Sequence, residues 1–386
     1  MKIAILGNQA RTLAGFWRVL IAHMREGGHE VVCLAPPGHE DSRRTLEALG
    51  ARVLAYPLDR KGINPLRDTA TFAALLRLLR EERPDICYAT TIKPVIYGCL
   101  AARMAGVPGV YAGITGLGYA FERDTPLKRA VHRLGTVLYR MALDRAQGVF
   151  FQNRDDEAVF RDAHILAPTT RVFIARGTGV DTERFAPCPL PPPPVVFLLV
   201  ARLLEAKGLR EYAEAALSLK EKHPDVRFRL LGPPEEGLGS VPLEQVRRWE
   251  AQGALEYLGQ ADDVRPHVAR AHVIVLPSWR EGTPTAVMEG MSMGRPAIVT
   301  DVPGCREVVR HMENGLLVPL GDVSALARAM DDMIGHPDRI PVMGAAGRRL
   351  AVDVFDAHRV ASGMLRDMGI PQGESDTDTR QPSEPR

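Results

Sequence analysis

Short runs of β-branched and other apolar residues alternate with longer helix-like segments along this chain, and that alternation restricts the fold more than any other feature. Parallel strands joined by helical crossovers produce it: a strand covered on both faces is apolar throughout, while each crossover helix keeps a polar side. In the first half the apolar runs fall near 2–7, 30–35, 52–56, 85–89, 148–152 and 171–174. The segment Pro187-Cys188-Pro189-Leu190-Pro191-Pro192-Pro193-Pro194 then interrupts any regular element, because proline fixes φ and lacks an amide donor. The alternation restarts at 195–200 and continues through 226–231, 272–276 and 296–300.

Two parallel sheets imply two α/β domains of Rossmann-like build, which suits a length of 386 residues, more than one ordinary core accommodates. The first domain is expected over 1–187, a linker over 188–194 and a second domain over 195–370, with its final helix packing back on the first. Residues 371–386 carry Gly, Ser, Thr, Asp, Gln and Pro without apolar anchors and read as a disordered tail. Two such sheets are expected to face a central cleft, where open α/β sheets bind ligands at the carboxyl ends of their strands. The 49 Lys and Arg nearly cancel the 47 Asp and Glu, which argues against nucleic acid as a partner. Cys33, Cys87, Cys99, Cys188 and Cys305 are widely spaced with no C-x-x-C pair, so a reduced cytoplasmic setting is expected and no zinc or redox site. No apolar stretch has the length of a membrane span, and the run after Met1 reads as a first strand.

The densest chemistry lies in Leu276-Pro277-Ser278-Trp279-Arg280-Glu281-Gly282-Thr283-Pro284-Thr285-Ala286-Val287-Met288-Glu289. This segment follows a strand and opens a helix, with Thr283 as N-cap and Pro284 at the first helical position. Amides around Thr283 to Ala286 then face an anion such as a diphosphate, with Gly282 and Thr285 in the same turn. Glu289 lies about 9 Å along the helix from that cap, an offset suited to ribose hydroxyls, and Glu281 is left at the sugar end. Two glutamates at this spacing are by themselves ordinary surface charge; the strand, turn and helix around them mark them out. Arg202 and Lys207 sit in the loop directly after the strand at 195–200, and offer a planar fork and a point charge for phosphate.

The loop A-R-x-x-x-x-K-G at 201–208, followed by E-x7-E at 281–289, resembles glycosyltransferase family 4, whose members have the GT-B fold of two Rossmann-like domains. Similarity extends over nearly the whole chain short of the tail and includes Gly259, Pro277, Glu307, Asn314 and Gly315-Leu316-Leu317-Val318. The resemblance implies that Arg202 and Lys207 bind the donor diphosphate, that Glu281 contacts the donor sugar and that Glu289 contacts the ribose. In the first half, Asp59-Arg60-Lys61-Gly62-Ile63-Asn64-Pro65, Thr91-Ile92-Lys93-Pro94 with Tyr97-Gly98, and Gly113-Ile114-Thr115-Gly116-Leu117-Gly118 are similar to bacterial enzymes that extend undecaprenyl-diphosphate-linked sugars. N-acetylgalactosaminyltransferases acting on lipid-linked diacetylbacillosamine are among these. Thr12, Lys93, Tyr97, Thr115 and Gly116 are therefore the candidates on the acceptor side. Some members of the family place a histidine beside the donor sugar, but here that loop reads Thr115-Gly116-Leu117-Gly118. No catalytic histidine is assigned, and His132 and His164 read as surface residues.

The family further implies a retaining transfer from a UDP-sugar, with no cofactor and no metal. The only D-x-D triplet, Asp376-Thr377-Asp378, falls in the tail. A nucleotide-sugar 2-epimerase of the same fold and a non-catalytic sugar-nucleotide binder remain the alternatives. Leu127, Val131, Leu134, Leu138 and Met141 share one helical face, with Lys128, Arg129, Arg133 and Arg140 off it. Two readings of this helix stand, a crossover helix packed on its sheet and a helix lying on an anionic membrane. A lipid-linked acceptor favours the second, and with it a protein at the cytosolic face of the bacterial cell membrane.

Overall fold

Successive residues of a strand can all be apolar when both of its faces are covered. In β1 (Lys2–Leu6), Ala4 and Leu6 enter one core while Ile3 and Ile5 enter another on the opposite face of the sheet. A computed structural model of the chain describes residues 1–60, 62, 64–117, 126–144, 146–237 and 239–372, without the side chains of 126–128, 130 and 131. The chain forms two compact units, Met1–Thr178 joined by the segment from His358 onward, and Gly179–Ala357.

Unit 1 is built on a seven-stranded sheet in the order β3-β2-β1-β4-β5-β6-β7, with every neighbour parallel. Its strands after β1 are β2 (Glu30–Ala35), β3 (Arg52–Ala55), β4 (Ile86–Thr90), β5 (Gly109–Ile114), β6 (Gly148–Phe151) and β7 (Val172–Ile174). Unit 2 has a six-stranded parallel sheet in the order β10-β9-β8-β11-β12-β13. These strands are β8 (Val196–Val200), β9 (Arg227–Leu231), β10 (Glu256–Tyr257), β11 (Val273–Leu276), β12 (Ala297–Thr300) and β13 (Gly315–Val318). Phe197 and Leu199 of β8 enter one core and Leu198 the other. Strand order reverses between β1 and β4 in unit 1 and between β8 and β11 in unit 2, so each unit has one switch point beyond the carboxyl ends of its strands.

Three strands carry weak sequence signals. β5 has glycine at Gly109 and Gly113, where a β-carbon at Gly113 would lie 2.4 Å from the Tyr88 hydroxyl. β10 is two residues long, and β13 is built on Leu316 and Leu317 with a single β-branched residue, Val318.

The change of unit falls between Thr178 and Gly179, ahead of the proline-rich stretch, which belongs to unit 2. Prolines cannot donate, but their neighbours' carbonyls accept, and the buried Arg295 guanidinium donates to Cys188 O at 2.7 Å and Pro189 O at 2.9 Å. The same side chain also reaches Met293 O at 2.9 Å and Ala269 O at 3.1 Å. Where the chain enters and leaves unit 2 the two segments lie side by side, with Val180 N donating to Phe355 O at 2.8 Å and Ala357 N to Val180 O at 2.9 Å. Only glycine fits before them, because a β-carbon on Gly179 would stand 2.6 Å from Ala357 Cα.

From His358 on, the last helix, Ala357–Asp367, and residues 368–372 complete unit 1. Val360, Ala361, Met364, Leu365, Met368 and Ile370 join the core that holds Ile3, Ile5, Trp17, Tyr88 and Phe150, and the Tyr111 hydroxyl donates to Met368 O at 3.0 Å.

Candidate functional site

At the switch point of unit 2, the loop after β8 is pressed against the loop after β11. Gly208, at φ +70°, ends the single 3-10 turn Glu205–Lys207, and a β-carbon there would lie 2.1 Å from Pro277 O. Trp279 N donates to Ala206 O at 2.9 Å across the same junction. The approach brings Lys207 Nζ to 2.5 Å from Glu281 Oε1, which also accepts from Ser278 Oγ at 2.6 Å. Glu281 is in turn fixed through its backbone: its amide donates to Pro303 O at 3.2 Å, and a β-carbon on Gly304 would stand 2.4 Å from Glu281 O. Arg202 takes a different partner, Glu235 of the loop after β9, with Nη1 2.8 Å from Oε2. That loop is drawn in by Leu203 N donating to Pro233 O at 3.0 Å, and a side chain at Gly232 would collide with Ala201 O. Both cations expected to hold a diphosphate are thus paired with carboxylates.

The helix after this loop runs Thr285–Ser292 and begins one residue later than its sequence suggests. Pro284 is the N-cap and Thr283 precedes it: the Pro284 backbone is extended, at ψ 99°, and its carbonyl accepts from Val287 N at 3.1 Å and Met288 N at 3.2 Å. The amides of Thr285 and Ala286 have no intrahelical acceptor, as at any helix start. Glu289 is then about 7.5 Å along the axis from the cap. It is not an exposed helix residue: burial pushes its carboxyl up to about 7, with Arg184 pulling the other way and Asp263 adding to the rise. Asp263 itself is held down to about 2, chiefly by hydrogen bonds from Arg265, whose Nη2 lies 2.7 Å from Oδ2.

In unit 1 the candidates sit after adjacent strands. Thr12 follows β1, in the helix Ala10–Phe16, with Oγ1 3.4 Å from Asn8 Oδ1. Lys93 and Tyr97 follow β4, and Thr115 and Gly116 follow β5. Lys93 Nζ is 2.6 Å from Asp68 Oδ1, and the Tyr97 phenol lies near enough to feel the same carboxylate. Burial, with that carboxylate adding to it, pushes the Tyr97 phenol well above its ordinary range. Asp68 lies in the first turn of the helix Pro65–Glu82, where an acid reads simply as a partner for the helix dipole, so sequence reasoning passes over it. Glu235 escapes notice because its role depends on Arg202, 33 residues away, and Ser278, only three residues from Glu281, because a serine in a loop carries no signal of its own.

The helix Pro126–Leu143 turns differently from its expected packing. Tyr139, Ala142 and Leu143 face inward, Tyr139 meeting Phe160 edge-on at 5.1 Å, whereas Leu134 (61% exposed), Val137 (51%) and Met141 (53%) point to solvent. Arg129 and Arg133 are exposed beside that apolar stripe. Arg140 is also exposed but committed, its Nε donating to His164 O at 2.8 Å. The Lys128 side chain, Gly118 and the Asp376–Asp378 triplet lie outside the described residues. Among the described residues no helix is long and apolar enough to cross a membrane.

Comparison with known proteins follows the same division of the chain. Residues 194–336 match the family described as glycosyl transferases group 1, and residues 14–177 match the glycosyl transferase 4-like domain. Over 331 residues the chain is 26% identical to the N,N'-diacetylbacillosaminyl-diphospho-undecaprenol alpha-1,3-N-acetylgalactosaminyltransferase of Campylobacter jejuni, covering 82% of this chain and 85% of that one. It is 28% identical to the UDP-Gal:alpha-D-GlcNAc-diphosphoundecaprenol alpha-1,3-galactosyltransferase of Escherichia coli over 300 residues, 73% of this chain and 76% of the relative. Among solved structures, Anabaena HepE in complex with UDP superposes with a TM-score of 0.74 at 19% identity, over 96% of this chain and all of that one.

Proposed function

Because the chain belongs to the group 1, 4-like glycosyltransferases of GT-B fold, we propose that it transfers a hexose or N-acetylhexosamine from a UDP-sugar to an undecaprenyl-diphosphate-linked sugar, with retention and without a metal. The observation that carries this reading is the Lys207–Glu281 pair set just before the open amides of Thr285 and Ala286. A diphosphate arriving there competes with Glu281 for Lys207 and with Glu235 for Arg202. Glu281, relieved of part of its ion pair, is left to accept from hydroxyls of the donor sugar. As the bond from the anomeric carbon to the β-phosphate oxygen breaks, negative charge grows on the phosphate, and Lys207, Arg202 and the helix amides stabilise it more strongly than in the ground state. The acceptor oxygen bonds to the anomeric carbon on the same face, and its proton passes to a phosphate oxygen of the departing UDP. The acceptor and the UDP donor are supported by what the two bacterial relatives are named for and by the UDP bound to Anabaena HepE.

Vesicle docking through the helix Pro126–Leu143 belongs to the same proposal: an exposed apolar stripe of Leu134, Val137 and Met141, edged by Arg129 and Arg133, suits the cytosolic face of an anionic membrane. Incubation with a panel of UDP-sugars, with and without a short-chain prenyl-diphosphate sugar and with EDTA throughout, tests the reading. Acceptor-dependent release of UDP that survives the chelator is expected. Conversion of the UDP-sugar to its 2-epimer without acceptor and without net UDP release would point to a 2-epimerase, an unchanged donor to a binding protein, and rescue only by magnesium or manganese to a metal-assisted leaving group.

A further inference from the structure

The Glu281 carboxylate is held by one oxygen only. Oε1 accepts from both Lys207 Nζ, at 2.5 Å, and Ser278 Oγ, at 2.6 Å, while Oε2 accepts from no group among the described residues. The two donors differ in kind. Lys207 ends a flexible four-carbon stem and is 21% exposed, so its ammonium can turn to another anion. Ser278 is fully buried, two residues after β11, and its backbone is fixed from two sides. Its carbonyl accepts from Thr300 Oγ1 at the end of β12, and the next amide, that of Trp279, donates to Ala206 O at 2.9 Å. The Ser278 hydroxyl cannot follow the lysine.

Its choice of acceptor is also informative. The buried hydroxyls of Thr71, Thr90, Ser292 and Thr300 close on backbone carbonyls, as architectural hydroxyls do, whereas Ser278 donates to a side chain of the donor site. A diphosphate that takes Lys207 leaves behind a carboxylate whose side chain is only 12% exposed, and stripping such a group of every donor is strongly unfavourable. With Ser278 in place, Oε1 keeps a partner throughout, and Oε2 remains for an incoming hydroxyl.

We infer that Ser278 is a positioning residue of the donor site, the hydrogen-bond partner that keeps Glu281 in place when Lys207 turns to the diphosphate. The inference rests on the transferase reading above and adds to it the group that lets one carboxylate serve first the lysine and then the sugar.

UDP and UMP are titrated by calorimetry into the wild-type chain, Ser278→Ala, Glu281→Ala and the double variant. Ser278→Ala is expected to weaken UDP by about three- to tenfold, the loss of one hydrogen bond to a charged group with water as a partial substitute. UMP has no β-phosphate to draw Lys207 away, and its affinity should be unchanged. In the Glu281→Ala background the serine substitution should alter neither ligand, because Ser278 acts through Glu281. Equal weakening of UDP and UMP, or a loss of the same size with Glu281 already removed, overturns the inference in favour of a serine that only shapes the loop. Unchanged UDP affinity in Ser278→Ala overturns it in favour of water as the group that holds Glu281. Ser278→Cys fills nearly the same space with a much weaker donor and gives the same reading if Ser278→Ala does not fold. The titrations need no turnover: a wild type that follows this pattern but releases no UDP in the acceptor assay would sink the transferase reading alone, and one that binds no UDP would sink both.

Discussion

A carboxyl group buried as Glu289 is keeps its proton to about pH 7, and this gives the donor site a titration in the physiological range. Ribose hydroxyls donate more strongly to a carboxylate than to a carboxylic acid, so UDP affinity should rise as pH increases through about 7. Calorimetry across that range should show the rise in the wild type and a flat profile in Glu289→Gln; a wild-type profile that is itself flat would remove Glu289 from the ribose. The same shift acts on the fold with the opposite sense. The folded chain holds this proton longer than the unfolded chain, so the contribution to stability is complete below the ordinary carboxyl range and is lost as pH rises through about 7. Lys207 and Arg202 belong to a different class, since their service is greatest as the phosphate gains charge. Lys207→Ala and Arg202→Ala should each lower kcat by about 10²-fold or more, whereas Glu289→Ala should act mainly on donor affinity. Steady-state kinetics with saturating donor separates the two patterns.

At the scale of elements, the helix Pro126–Leu143 offers the plainest test. Replacing Arg129 and Arg133 with Gln should abolish flotation with anionic vesicles at low salt, each cation contributing about 1 kcal/mol near such a surface. Activity on a short-chain soluble acceptor should persist. Equal flotation of variant and wild type would reduce the helix to a solvated crossover. This helix also shows what the sequence could and could not convey. Its helical period was legible, yet two neighbouring apolar stripes compete for the sheet, and only packing against Phe160 decides that Tyr139 turns inward and Leu134 outward. Strands rich in β-branched residues, such as β2 and β8, announce themselves, while β5 with its two glycines does not. In the donor loops the motif residues are contiguous, so Lys207 and Glu281 could be named from spacing and resemblance. The carboxylates that hold Arg202 and Lys93, Glu235 and Asp68, could not, because each lies on a segment, 33 and 25 residues away, that only the fold brings to its cation.

Across the whole molecule, the buried Arg295 is the side chain on which the proline-rich segment depends. Arg295→Met would strip several carbonyls of their donor at once and should cost about 3–5 kcal/mol, read as a lower midpoint of chemical denaturation. Unit 1 depends in a comparable way on the end of the chain. Removal of residues from 357 onward should expose Ile3, Ile5 and Trp17 and leave unit 1 prone to aggregation while Gly179–Asp356 stays folded, which limited proteolysis would reveal. The same connectivity governs what happens on the ribosome. Unit 1 begins with the first residue but cannot close until Val360 to Ile370 emerge, after the whole of Gly179–Ala357 has been made. At about 5–20 residues per second that intervening stretch takes roughly 9–36 s to synthesise. For that interval the nascent chain carries an uncovered apolar face, a binding site for the cell's chaperones, and the segment translated second is the first that can finish folding.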